Sequence, residues 1–492
     1  MKKKRLNKLL AGLMAAAVTL TGIPGGLTAE AAEPPAALDI GHPTFKNTEY
    51  LEEVYDLEGL GVSYASDDIM MQIYQQDLAN GGDSFYMDRV LAREGVANGN
   101  AGSNGNDDGN TFLTRGRALY MYTSNPGIIG FGGTTAYHQP LTGNMYSITF
   151  QSGGEELSYS EDTSARINYP SNWVSTYNVG DSLAADVTKF ISNENVAVTA
   201  ITLRNTSGSD QTVTVNATSG FVSEKSEVEI NGENVPELTG SVTSSSNLTE
   251  ITTRLTGDGF GYTDDNTTLS KEVTVPAGES VDLKVVMAFT TEEIPESTED
   301  YVRFSELSNL EAIRAQKAEY NLYWAENLPY VDVPNDAVQK AIDYRWWSER
   351  FNSLDANIPG YDYQYPVTIE GVLGYNNAII LTQPMHLQDT KWLRSAYLPY
   401  GQLLSAGNSS QSSAFLDNPG NRNNWNNHYG QYLAEAGLEA FYVIGGGEEL
   451  AENLAYYFGH DATGQLEHYG NHTDYDLIAY QSNYMKIGRA HV

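Results

Sequence analysis

The sequence predicts a β-sandwich followed by a domain of paired α-helices. Between residues 38 and 298, short runs alternate apolar and polar residues with period two, and Gly, Asn, Ser and Thr fill the connections. After Ser297 the apolar spacing becomes helical, and Pro and Gly disappear for a long stretch. The 492 residues include no Cys, so stability comes from burial rather than disulfides, and the length suffices for more than one core.

Residues 1–31 read as a secretion signal. Lys2, Lys3, Lys4, Arg5 and Lys8 make a basic end, Leu9 to Leu20 is an apolar run too short to span a bilayer, and Ala29-Glu30-Ala31 is a small-x-small cleavage site. No Cys follows it to carry a lipid, and no later segment is apolar enough for membrane insertion. The expected location is extracellular or the cell-wall space.

Residues 38–298 form the expected sandwich. Val196 to Leu203, Thr212 to Val215 and Glu272 to Val275 alternate, and Val281 to Phe289 follows the turn Pro276-Ala277-Gly278. Arg115-Gly116-Arg117 and Gly130-Phe131-Gly132-Gly133 read as tight turns between strands. Glu94 to Asn110 is a Gly/Asn-rich loop that hints at calcium but lacks the alternating ligands and closing Glu of an EF-hand. No cofactor and no metal site are therefore expected.

Residues 299–329 read as a helical linker, with Phe304, Leu307, Leu310 and Ile313 at helical spacing in one stretch from Tyr301 to Asn327. Pro334-Asn335-Asp336 caps a further helix with Val338, Ile342 and Trp346 on one face. More helices are expected near 376–384, 389–404, 427–444 and 447–458.

The balance of 28 Lys+Arg against 63 Asp+Glu gives a formal net charge of −35. Nucleic acid and anionic membranes are poor partners for such a chain. Neutral glycans suit it better than acidic ones. The oligomeric state is not legible. No Gly-x-Ser-x-Gly elbow, Walker loop, dinucleotide fingerprint or paired-His zinc motif is present.

Aromatic rings, amides, an Arg, a carboxylate and a His alternate from Tyr344 to His386. Sugars bind such mixtures, since their C–H faces pack on rings and their hydroxyls need planar polar partners. The other reading is an aromatic helical core with polar loops. The candidate substrate-binding residues are Arg345, Trp346, Tyr375, Asn376, Asn377, His386 and Trp425. Arg345 can hold a substrate or pair with Glu349 on its own helix. Of Trp346 and Trp347, at most one can line a cleft, because they point to neighbouring faces. Asn376 and Asn377 equally suit helix capping, and His386 a structural role. Trp425 sits in the amide-dense stretch Asp417 to Tyr429, which equally suits a solvated turn anchored by one Trp.

The order of sandwich, linker and paired helices resembles the (α/α)6-barrel, or six-hairpin, glycosidases, particularly the mannosylglycerate hydrolase-like and glycoside hydrolase family 63-like enzymes. The residues that carry the resemblance are Tyr344 to Trp347, Ile369-Glu370-Gly371 with Tyr375-Asn376-Asn377, and Asn424-Trp425, Tyr429 and Tyr432 to Ala436. The resemblance implies an α/α toroid over the helical half and an inverting hydrolysis, which needs two carboxyl groups roughly 6.5–9.5 Å apart. Glu370 is the catalytic candidate within the chain, with substrate hydrogen bonding and helix capping as its other readings.

A toroid of about twelve helices, each roughly ten to fourteen residues long, exceeds what residues 330–485 provide, so these are expected to be its first half. The last residues, Lys486 to Val492 (486–492), read as the in-frame translation of a common sequencing adapter. The resemblance would then place the main catalytic acid beyond Met485, after Asp474 to Tyr480, and leave the shortened chain inactive. Two rivals stay open: a polysaccharide lyase of toroid and sandwich type, and a non-catalytic glycan-binding protein.

Overall fold

The computed structural model describes residues 112, 114–125, 127–141, 143–243, 250–327, 333–355, 365–369, 382–393, 395–411, 433–445 and 450–452. The signal, the Glu94 to Asn110 loop, the first part of the expected sandwich, Asp474 to Tyr480 and the 486–492 tail lie outside these residues. The described residues fall into two compact units, 112–355 and 365–369 with 382–452.

The first unit is built on two eight-stranded antiparallel sheets. One runs in the order β1 (Leu119–Asn125), β2 (Gly130–Tyr137), β4 (Tyr146–Ser152), β10 (Gln211–Thr218), β15 (Thr268–Val275) and β14 (Gly261–Tyr262). On it, β3 (Gln139–Pro140) pairs with β2 and β5 (Glu155–Leu157) with β4. The other runs β11 (Glu224–Ile230), β12 (Glu233–Val242), β13 (Ile251–Gly257), β16 (Ser280–Thr290), β9 (Val196–Asn205), β8 (Leu183–Ile191), β7 (Trp173–Val179) and β6 (Tyr159–Asn168). Every alternating run read from the sequence lies in a strand. On β10 the period is plain: Val213, Val215 and Ala217 are buried, while Thr212, Thr214 and Asn216 are not. Between the sheets, the Tyr146 hydroxyl hydrogen-bonds the Thr199 hydroxyl at 2.7 Å, and burial pushes its pKa well up.

Strand β9 loses the alternation because both its faces are covered. Its outer side carries helix α1 (Glu296–Glu306) and the start of α2 (Asn309–Asn327), which join Phe190, Val196, Val198, Val286 and Ala288 in one apolar cluster through Tyr301, Phe304 and Ala312. Phe304 meets Phe190 edge-on at 5.3 Å between ring centroids.

The single long helix expected from Tyr301 to Asn327 is two helices. Leu307 is extended (φ −67°, ψ 146°), and Ser308 restarts the chain with a capping box. The Glu311 carboxylate accepts from the Ser308 N–H at 2.9 Å and its hydroxyl at 2.6 Å. Leu310 therefore points outward, 56% exposed. The three-residue apolar spacing happens to run straight across the break. Helix α3 (Asp336–Phe351) starts where expected, with the Asn335 side chain accepting from the Val338 N–H at 3.1 Å, but Val338 itself is exposed.

Gly130 to Gly133 is not a turn but the start of β2. Gly133 has φ +114°, and a Cβ there would lie 2.0 Å from the Thr123 carbonyl oxygen. It pairs with Ser124, next to the irregularity in β1 between Met121 and Thr123.

The second unit contains the short strand Val367–Thr368 and helices α4 (Gln383–Thr390), α5 (Tyr397–Gln411) and α6 (Leu433–Ile444). Among the described residues these helices do not close a toroid. No described helix is long and apolar enough to cross a membrane.

Candidate functional site

Two places concentrate polar groups. In the second unit, the segment Tyr365 to Ile369 is clamped between α4 and α5. The buried Gln383 amide donates to the Thr368 carbonyl and the buried Gln402 amide to the Thr368 hydroxyl, each at 2.9 Å. The Ser405 hydroxyl donates to the Tyr365 carbonyl at 3.0 Å. Gly401 lets α5 approach the chain so closely that a Cβ would lie 2.4 Å from the Pro366 ring. The Oε1 atoms of Gln383 and Gln402 and the Tyr400 hydroxyl are buried without a protein partner. Burial raises the Tyr400 pKa to about 12. Buried acceptors of this kind require a donor from water or ligand.

The last residue the clamp holds, Thr368, is two residues before Glu370. Glu370, Tyr375, Asn376, Asn377 and Trp425 lie outside the described residues, as do His460, His468 and His472. His386, in α4, is partly buried. Helices α4 and α6 are joined at the surface by Lys391 and Gln388, both donating to Glu439 at 2.8 Å, and the Lys391 hydrogen bond holds the Glu439 carboxyl below its ordinary range.

In the first unit, a cavity of about 20 Å³ is lined by Thr114, Arg115, Asn193, Gln316, Glu319, Tyr320, Trp347, Arg350 and Phe351. This is room for a water-sized body, not a sugar ring. Trp347 lines the cavity; Trp346 is buried elsewhere and Arg345 is exposed. The lining carboxylate, Glu319, is ion-paired to Arg303. An acid and a base at opposite sides of a bond are not present there, so this cavity is no hydrolytic centre.

One loop brings Asn193 to the cavity. Residues 192–195 turn β8 into β9, with the Asn195 N–H donating to the Ser192 carbonyl at 3.2 Å and Asn195 at φ +65°. The Asn195 Oδ1 accepts from the buried Ala118 and Leu119 amides at 2.8 and 3.0 Å. A side chain on Gly116 would meet that oxygen at 2.5 Å. The lock places Arg115 under the end of α3, where its Nη1 donates to the Phe351 carbonyl at 2.8 Å. Arg117 beside it pairs with Glu194 at 3.4 Å and Asp355 at 3.3 Å. In the sequence, Arg115-Gly116-Arg117 showed only its turn chemistry; Asn195 gave no signal of its role.

Among the described residues no cluster of three or more metal-ligating side chains occurs.

No family model matches the chain. Among solved structures it is similar to a protein described as a kojibiose phosphorylase from the human microbiome, with 10% identity and a TM-score of 0.42 over 61% of this chain and 43% of that one. It is similar to a family GH92 inverting mannosidase from Bacteroides thetaiotaomicron, with 13% identity and a TM-score of 0.36 over 62% and 46%. A family GH92 α-mannosidase from the same organism matches with 7% identity and a TM-score of 0.36 over 71% and 61%. The chain thus spans less than two thirds of each of these proteins. Likeness at this level says nothing about which reaction the chain performs.

Proposed function

We propose that the intact protein is a secreted glycoside hydrolase that cleaves a neutral oligo- or polysaccharide by general acid–base catalysis with inversion, and that residues 330–485 are part of an α/α toroid. The observation that carries this reading is the clamped Tyr365 to Ile369 segment. Two buried glutamines and a close glycine contact hold the chain at Pro366 and Thr368, two residues before Glu370 at the last contact. Catalytic carboxyls need such support, because a misplacement of about 1 Å can cost two orders of magnitude in rate.

In this reading Glu370 is one carboxyl of the pair or a substrate hydroxyl's acceptor. Tyr375, Asn376, Asn377, Trp425, Arg345 and His386 are the candidate sugar contacts of this reading. The second carboxyl belongs to a part of the protein outside the described residues.

The test is turnover of neutral aryl glycosides and oligosaccharides by the full-length product of the gene, with Glu370→Gln beside it. Expected are hydrolysis with inverted anomeric configuration by the wild type, and a loss of at least about 100-fold in kcat/KM for the variant if Glu370 acts in general acid–base catalysis. Unsaturated products from uronate glycans would point to a lyase instead. Sugar binding by the sandwich with no turnover by the full-length protein would point to a binding role.

A further inference from the structure

Arg115 is a buried cation without a counter-charge. It is 8% exposed, and its surroundings account for all but one of its guanidinium nitrogens. Nε donates to the Gly116 carbonyl at 3.3 Å and Nη1 to the Phe351 carbonyl at 2.8 Å, and the guanidinium lies over the Tyr120 ring, 4.8 Å from its centroid. Nη2 is buried and meets no acceptor.

The carboxylates nearby are committed elsewhere. Glu319 and Asp300 both pair with Arg303, and Glu194 and Asp355 with Arg117. Arg350 also lines the cavity; its guanidinium stacks over Tyr323 at 4.2 Å and Tyr320 at 5.0 Å, and the buried carboxylate Glu349 precedes it on α3. Burial lowers the Arg115 pKa to about 10, so it stays charged at neutral pH. A water in the cavity would satisfy the free N–H but leave the buried Arg115 guanidinium without a counter-charge. An uncompensated buried charge is among the costliest features a fold can keep.

We propose that this cavity binds a small monovalent anion of chloride size, held by Arg115 Nη2. The amides of Asn193 and Gln316 and the edges of Tyr320 and Trp347 complete a lining that can face an anion. The 20 Å³ of space admits a halide and excludes a sugar acid or a phosphate ester. The anion joins three parts of the unit: the strand lead-in at Thr114 and Arg115, helix α2, and the end of α3.

The test compares thermal unfolding in sodium chloride and in sodium gluconate at equal ionic strength, with chloride-35 NMR line broadening on the same protein. Arg204→Met, which removes an exposed cation from the sheet surface, serves as the control. Expected are a higher Tm in chloride, rising with the logarithm of its concentration, and excess broadening of the chloride line. Arg115→Met should abolish both differences, whereas Arg204→Met should keep them. Equal Tm values in the two salts, or no excess broadening with the wild type, would overturn the proposal. The wild-type comparison decides the matter even if Arg115→Met does not fold.

Discussion

Replacing Asn195 by Ala should be among the most damaging single changes in the sandwich. The Asn195 Oδ1 is the side-chain acceptor for the Ala118 and Leu119 amides, and all three residues are fully buried. Leaving a buried donor unpaired costs about 1–3 kcal/mol, so two cost about 2–6 kcal/mol. Alanine must also hold φ +65°, a left-handed conformation that costs it roughly another 1–2 kcal/mol. Water entering the vacated space would recover part of this, which puts the expected loss at about 3–5 kcal/mol.

Urea unfolding measures the total, and amide hydrogen exchange at Ala118 and Leu119 measures the local part. Asn195→Gly separates the causes, because glycine keeps the backbone conformation but not the acceptor. It should fall roughly 1 kcal/mol short of the alanine cost. Gly116→Ala attacks the same contact from the other side, since its Cβ would lie 2.5 Å from the Asn195 oxygen. Combined with Asn195→Gly its cost should be less than additive. A loss under about 1 kcal/mol for Asn195→Ala, with protected Ala118 and Leu119 amides, would show that this side chain does not hold β1 to the β8–β9 turn.

Two further outcomes follow from the packing. Phe304→Ala empties the fully buried site against Phe190 and should cost about 3–5 kcal/mol, read as a lower urea midpoint with the unfolding slope unchanged. Lys189 lies buried over Phe131 and Trp173, donates to the Gly130 carbonyl at 2.8 Å, and has its pKa lowered by burial from 10.5 to about 8. In that interval the unfolded chain binds the proton and the folded one does not, so Lys189 makes stability rise with pH from about 8 to 10.5, by up to about 3 kcal/mol. Wild type should show this rise relative to Lys189→Met in unfolding free energies measured across the range; parallel pH profiles would refute it.

The sequence by itself determined several of the strands and the order of the two structural classes. The alternation at Val196 to Leu203, Thr212 to Val215 and Val281 to Phe289 is local information, because a half-buried strand must place every second side chain in the core. The change to helical spacing after Ser297 is local in the same way. Even the break between α1 and α2 was written there, as Ser308 and Glu311, although the apolar spacing from Phe304 to Ile313 masked it. The aromatic content of α3 was equally plain, but which tryptophan lines a cavity was not. That depends on what packs against each face of the helix, and it is Trp347 that meets Arg115 and Tyr320 around the cavity.

Only the tertiary structure decided the rest. The Asn195 contact joins residues 77 positions apart, and the Arg115 contact with Phe351 joins residues 236 apart. Neither separation leaves a periodic trace. The clamp on Thr368 likewise needs Gln383 and Gln402 brought together from two helices. Periodicity reports which face of an element is buried; it carries no record of which distant group will meet a buried donor, charge or acceptor. Those pairings are chosen when the core closes, because burial then makes every unpaired polar atom costly.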